Sequence, residues 1–157
     1  MRFQQDDGGR AGAGFKGSTG DCVTRALAIA TGLPYREVYD EMHQRTLGDL
    51  RWMRKLVKYY GPRARSKASP RAGVPRHIYQ AYLEEQSFVW VPTMKVGQGC
   101  TVHLREEELP GGTIVCRLSR HLTTVVDGVI RDTFDPSRDG TRCVYGYFKK
   151  EGNHAST

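Results

Sequence analysis

The hydrophobic spacing of this chain changes once, and in one direction. As far as Glu85 the apolar residues recur at helical intervals; from Phe88 onward they fall in short β-branched or aromatic runs separated by Gly, Pro or charged turns. Helices followed by strands, without alternation, exclude a doubly wound α/β sheet and predict an α+β fold in which N-terminal helices pack on a C-terminal, mostly antiparallel sheet. A chain of 157 residues is long enough to bury a core by itself and short for two independent units. A single domain over 1–157 is therefore expected, with an extended arm over 1–20, a helical part over 21–86, a sheet over 87–150 and a tail over 151–157.

Local signals place the elements. Val23, Ala26, Leu27 and Ala30 predict a helix over Cys22 to Thr31, with Asp21 as its cap and Gly32 as its stop. Pro34 opens a second helix, PYREVYDEMHQ. A third fits Leu50 to Tyr60 with Leu50, Met53, Val57 and Tyr60 on one side, and a fourth fits VPRHIYQAYLEEQ with Ile78, Tyr82 and Leu83 inward. Between these last two, GPRARSKASPRAG has almost nothing apolar and reads as an exposed loop. The strand candidates are SFVWVPT, CTVHL, GTIVCRL, HLTTVV, VIRDTF and CVYGYFK.

Charge and cysteine usage bound the function. Lys and Arg outnumber Asp and Glu by 24 to 17, a net charge of +7, which favours anionic partners without specifying one. Much of the excess lies between Arg51 and His77. There Arg51, Arg54, Lys55, Arg63, Arg65 and Lys67, interleaved with Trp52, Tyr59 and Tyr60, form a candidate nucleic-acid surface, set against the plainer reading of a solvated helix and loop. The four cysteines show no CxxC pair, and no His/Cys/carboxylate cluster has metal-ligand spacing, so neither a metal nor another cofactor is expected. No export signal or membrane span is read in the sequence, so cytoplasmic location and reduced thiols are expected.

The segment SRHLTTVVDGVIRDTFD holds the most specific geometry. Asp127-Gly128 between Val126 and Val129 predicts a two-residue type I′ hairpin. That register pairs Thr123 with Asp132 and His121 with Phe134, which sets His121 on one face with Thr123 and Asp132 and sends Asp135 to the other. A carboxylate beside one imidazole nitrogen fixes the tautomer and leaves the other nitrogen for proton transfer. A nucleophile for this pair is available in Cys22, at the first turn of the first helix, where unpaired N–H groups and the helix dipole stabilise a thiolate and can also hold an oxyanion. Cys116 alternates with Ile114 and Leu118 and reads as core; Cys143 begins the last strand; Cys100 lies in a loop. His43, His77 and His154 have no patterned carboxylate partner, and His103 alternates in TVHL.

A cysteine starting an early helix, a histidine opening a strand and an acid on the next strand resemble the papain-like cysteine peptidase fold. In papain-type enzymes the third member of the triad sits in a Lys-Asn-Ser-Trp motif at a strand end. The stretch IRDTF is similar position by position: Arg131 for the lysine, Asp132 for the asparagine, Thr133 for the serine and Phe134 for the aromatic residue. The resemblance implies Cys22 as nucleophile, its backbone N–H as oxyanion donor, His121 as base and later acid, and Asp132 as orienter. Phe134 would shield the His121 to Asp132 bond from water. The chain departs from the family where a glutamine would supply the second oxyanion donor: Lys16 stands six residues before Cys22. The segments around Cys22 and His121 also resemble small proteins encoded by phages and bacteria, implying a bacterial or phage-infected cytoplasm. The expected activity is hydrolysis of a peptide, isopeptide or related amide in a peptide or protein substrate. Two rivals remain: a papain-like module that binds without chemistry, and a nucleic-acid-binding protein.

Overall fold

The structure is a computed structural model that describes residues 1–17 and 20–152. His154 and the end of the tail, 153–157, lie outside the described residues. Helix α1 spans Cys22–Thr31 and ends where Gly32 takes a left-handed φ of 72° and returns its N–H to the Ala28 carbonyl. Helix α2, Tyr35–Gly48, starts after Pro34 and runs beyond Gln44 because Met42 and Thr46 are buried on its inner face. Helix α3, Leu50–Tyr60, is capped by Asp49, whose carboxylate accepts the Trp52 N–H at 2.8 Å.

The apolar side of α3 is largely exposed, Leu50 at 71% and Val57 at 55%, while Met53 packs against the cluster around Leu56, the residue this helix buries. The basic stretch after it is helical, not a loop: single 3₁₀ turns at Gly61–Arg63 and Pro70–Ala72 flank α4, Ala64–Lys67. Ala64 and Ala68 pack there against Leu56, so small residues supply a core contact that a count of large apolar residues overlooks. Helix α5, Arg76–Glu85, buries Ile78, Tyr79, Tyr82 and Leu83.

The remaining strands are β2 (Phe88–Pro92), β3 (Thr113–Leu118), β4 (His121–Val126), β5 (Val129–Asp132) and β6 (Gly146–Lys150). The N-terminal arm is not merely extended. Its residues Arg2–Gln5 form β1, which pairs in parallel with β5 and sets Gln5 beside Asp132. The six-stranded sheet therefore has the order β1-β5-β4-β3-β6-β2, with every pair except β1 and β5 antiparallel. CTVHL forms no strand, only an isolated bridge between His103 and Cys143, and Cys143 precedes β6 instead of beginning it.

One face of the sheet packs on the helices through Val115, Leu122, Phe88 and Phe148 against Leu27, Val38, Met42 and Leu83. The other buries Ile114, Cys116, Leu118, Val125 and Ile130 under Leu104 and Val144 from the connections. Those connections overturn the expectation of reduced thiols throughout. Val144 N–H bonds the Val102 carbonyl and Leu104 N–H bonds the Arg142 carbonyl, which brings Cys100 and Cys143 together as a disulfide; Cys22 and Cys116 are free.

Candidate active site

Cys22 is the first residue of α1 and is half-buried. Asp21 holds the N-cap position, but its side chain does not cap the helix. Its carboxylate, 1% exposed, instead accepts the Tyr35 hydroxyl at 2.5 Å and pairs with Arg10 at 3.0 Å and with Arg25. The helix thus keeps first-turn N–H groups free of that cap at the residue carrying the thiol, and with them the positive end of its dipole.

Opposite this helix end, the β4–β5 hairpin has the register read from Asp127-Gly128: both turn residues have positive φ, 47° and 77°, and Val126 pairs with Val129, Val125 with Ile130 and Thr124 with Arg131. Continued outward, it brings His121 Nε2 to 2.7 Å from Asp132 Oδ2, while Thr123 donates its hydroxyl to the same oxygen at 2.7 Å. The other carboxylate oxygen accepts the Thr133 N–H at 2.7 Å and lies 3.7 Å from Arg25. With both oxygens engaged and the residue buried, Asp132 is fixed in place. Asp135 is spent elsewhere, accepting the Ser137 N–H. The Phe134 ring, half exposed, lies 5.1 Å from the imidazole.

The electrostatics follow from these contacts. Burial acts to raise the Cys22 thiol, but the hydrogen bond and charge of His121, the Leu122 N–H and the Arg25 guanidinium outweigh it and hold the thiol below the ordinary cysteine value. Burial likewise acts to lower His121, yet the hydrogen bonds to Asp132 and Cys22 push it up to about 9. Asp132 stays below the ordinary carboxylate range because His121, Thr123 and the Thr133 amide offset its burial. A lowered thiol beside a raised imidazole favours the thiolate–imidazolium pair. Cys116, wholly buried with no such neighbours, is pushed the other way, to about 12.

The Cys22 and His121 side chains line a cleft of about 380 Å³ bounded by Gly20, Val23, Gly73, Tyr79 and Leu122, and by Arg76, Arg117 and Arg120. Thr123 stands beside Asp132 as the hairpin register requires, whereas Arg25 and these cleft arginines were not singled out from the sequence. Arg25 is three positions after Cys22 on a helix, a visible spacing, whereas Arg76 and Arg117 meet only through the tertiary fold. Of the basic residues expected to contact nucleic acid, Lys55 and Lys67 join Trp52, Tyr59 and Tyr60 around a separate hollow of about 660 Å³; Arg51, Arg54, Arg63 and Arg65 are exposed and outside its lining. His77 does have a carboxylate partner, Asp49 at 2.5 Å, contributed by a distant part of the chain. His103 faces Glu108 at 3.3 Å. Among the described residues no group of three or more His, Cys, Asp or Glu is placed to hold a metal ion, and no helix is long and apolar enough to cross a membrane.

No protein-family model matches the chain, and no curated protein or solved structure is significantly similar to it.

Proposed function

We propose that this chain is a compact papain-like thiol hydrolase that cleaves a peptide, isopeptide or related amide through an acyl-enzyme. The observation that carries the reading is the placement of Cys22 and His121 in one cleft, with His121 Nε2 2.7 Å from a buried, immobilised Asp132. His121 Nε2 is committed to Asp132, so its other nitrogen, Nδ1, serves the thiol. The thiolate attacks the carbonyl carbon, a C–S bond forms, and the carbonyl electrons move to an oxyanion held by the Cys22 N–H. His121 gives its proton to the leaving amine as the C–N bond breaks. Water then attacks the thioester while the neutral imidazole takes its proton, and collapse of the second tetrahedral species expels the thiolate and releases the acid.

An activated ester tests this without knowledge of the substrate. With p-nitrophenyl acetate, a burst of p-nitrophenol equivalent to the protein is expected, with the acetyl group on Cys22, and no burst in Cys22→Ala. A burst that survives Cys22→Ala, or no burst in the unaltered protein, contradicts the reading.

A second reading has one observation of its own: the hollow in which Lys55 and Lys67 accompany Trp52, Tyr59 and Tyr60 combines charge and ring faces suited to single-stranded nucleic acid. It predicts binding that weakens steeply with salt and with Tyr59→Ala.

A further inference from the structure

The walls of the Cys22 cleft carry charge of one sign. Arg76 opens α5, Arg117 lies on β3, and Arg120 lies in the turn between β3 and β4; no Asp or Glu joins them in the lining. Arginines that brace the fold, such as Arg10, Arg25 and Arg131, have carboxylate partners. Among the described residues, none of these cleft arginines has a carboxylate within 4.0 Å. Two of them are held by aromatic faces instead: Arg76 lies over Trp90 at 4.5 Å and Arg117 over Tyr145 at 5.9 Å. Trp90 is itself seated on Gly146, where a Cβ would collide with the indole.

Arg120 adds an independent sign. It stands immediately before His121 with φ at 55°, a conformation that glycine takes freely and other residues avoid. An arginine of the Cys22 and His121 cleft thus stands at a position whose backbone favours glycine.

We infer, on the basis of the hydrolase reading above, that the acyl donor is an acidic peptide whose carboxylate side chains flank the bond to be cut and are gripped by Arg76, Arg117 and Arg120. Guanidinium forks match carboxylates in two-point hydrogen bonds, which a lysine cannot reproduce. Arg76 and Arg117 also line a neighbouring hollow of about 470 Å³ with Trp90, Tyr145 and Lys95, so the groove continues past the reacting centre and suits an extended chain. A peptide fits better than a nucleic acid, because one face of each of Trp90 and Tyr145 is already covered by a guanidinium and is lost to base stacking.

Two alkylating reagents that differ by one charge read this out at Cys22. The thiolate displaces iodide from either iodoacetate or iodoacetamide, and the ratio of the two rates reports the field in the cleft. Relative to free cysteine, the protein should favour iodoacetate, and Arg76→Gln, Arg117→Gln and Arg120→Gly should each lower that ratio by about tenfold. Arg120→Gly also eases the backbone, so its loss of preference is not a folding defect. A short polyglutamate peptide should protect Cys22 from iodoacetamide, and the polyglutamine peptide of the same length should not. A ratio unchanged in all the variants, or better protection by a single-stranded oligonucleotide than by polyglutamate, overturns the inference alone. Labelling by neither reagent faster than free cysteine overturns the hydrolase reading and the inference with it.

Discussion

At His121 burial and hydrogen bonding act in opposite senses, and the hydrogen bonds win. Because folding raises this imidazole from 6.5 to about 9, the protonated ring contributes fully to stability below pH 6.5, and that contribution is lost as the pH rises through about 9. Asp132 has the opposite sense: its pKa lies below 3.8, so its contribution is present above that value and is lost as acid drives the pH through the depressed one. Removing the carboxylate leaves burial unopposed by its main partner. In Asp132→Ala the imidazole should therefore titrate well below about 9, as followed by the NMR shift of its ring protons. Asp132→Asn keeps an oxygen to accept the Nε2–H, so it should retain faster Cys22 labelling than Asp132→Ala. An imidazole that titrates identically in Asp132→Ala and the unaltered protein would remove Asp132 from its assigned role.

The elements that position the thiol are tied together at Asp21, which binds Arg10 of the arm, Arg25 of α1 and Tyr35 of α2. Asp21→Ala leaves two largely covered cations and a buried hydroxyl without this partner and should cost about 3 kcal/mol, read from urea unfolding. A cost comparable to that of a lost helix cap, about 1 kcal/mol, would show that the network is dispensable. The same residue shows what the sequence makes legible. Asp before an apolar helical run is a cap signal, yet Asp21 does not cap α1; the Gly32 stop and the hairpin register were readable because turn chemistry is local, and α3 because its apolar residues recur at helical spacing. Of the carboxylate's partners only Arg25, four residues on in the same helix, follows a local spacing; Arg10 of the arm and Tyr35 of the next helix are brought to it by the tertiary fold. The β1 strand is equally hidden: Arg2, Phe3, Gln4 and Gln5 are all exposed and show no buried face, and it is the free edge of β5 that makes them a strand. The Cys100–Cys143 bridge and the His77 to Asp49 pair belong with it, since each depends on a long return of the chain.

In the molecule as a whole, the thiol comes from the helical half and its imidazole and carboxylate from the sheet, with the cleft at their junction. That division explains why the His121 to Asp132 relation follows from hairpin register while the approach of Cys22 rests only on its place at a helix start. The α+β class was legible from the single change of period; the arginine-lined wall was not, because α5 and β3 meet only in the folded chain. The central claim is that folding turns Cys22 into a thiolate paired with His121, and its most direct test is the pH dependence of Cys22 alkylation by iodoacetamide in the unaltered protein and in His121→Ala. The reactive thiolate should appear below the ordinary thiol value of 9.0, paired with protonated His121, and should remain reactive to the neutral reagent after His121 deprotonates near 9; in His121→Ala, burial dominates, the rise moves to higher pH, and the rate at neutral pH falls by at least about tenfold. Superimposable profiles for the two proteins would contradict the account.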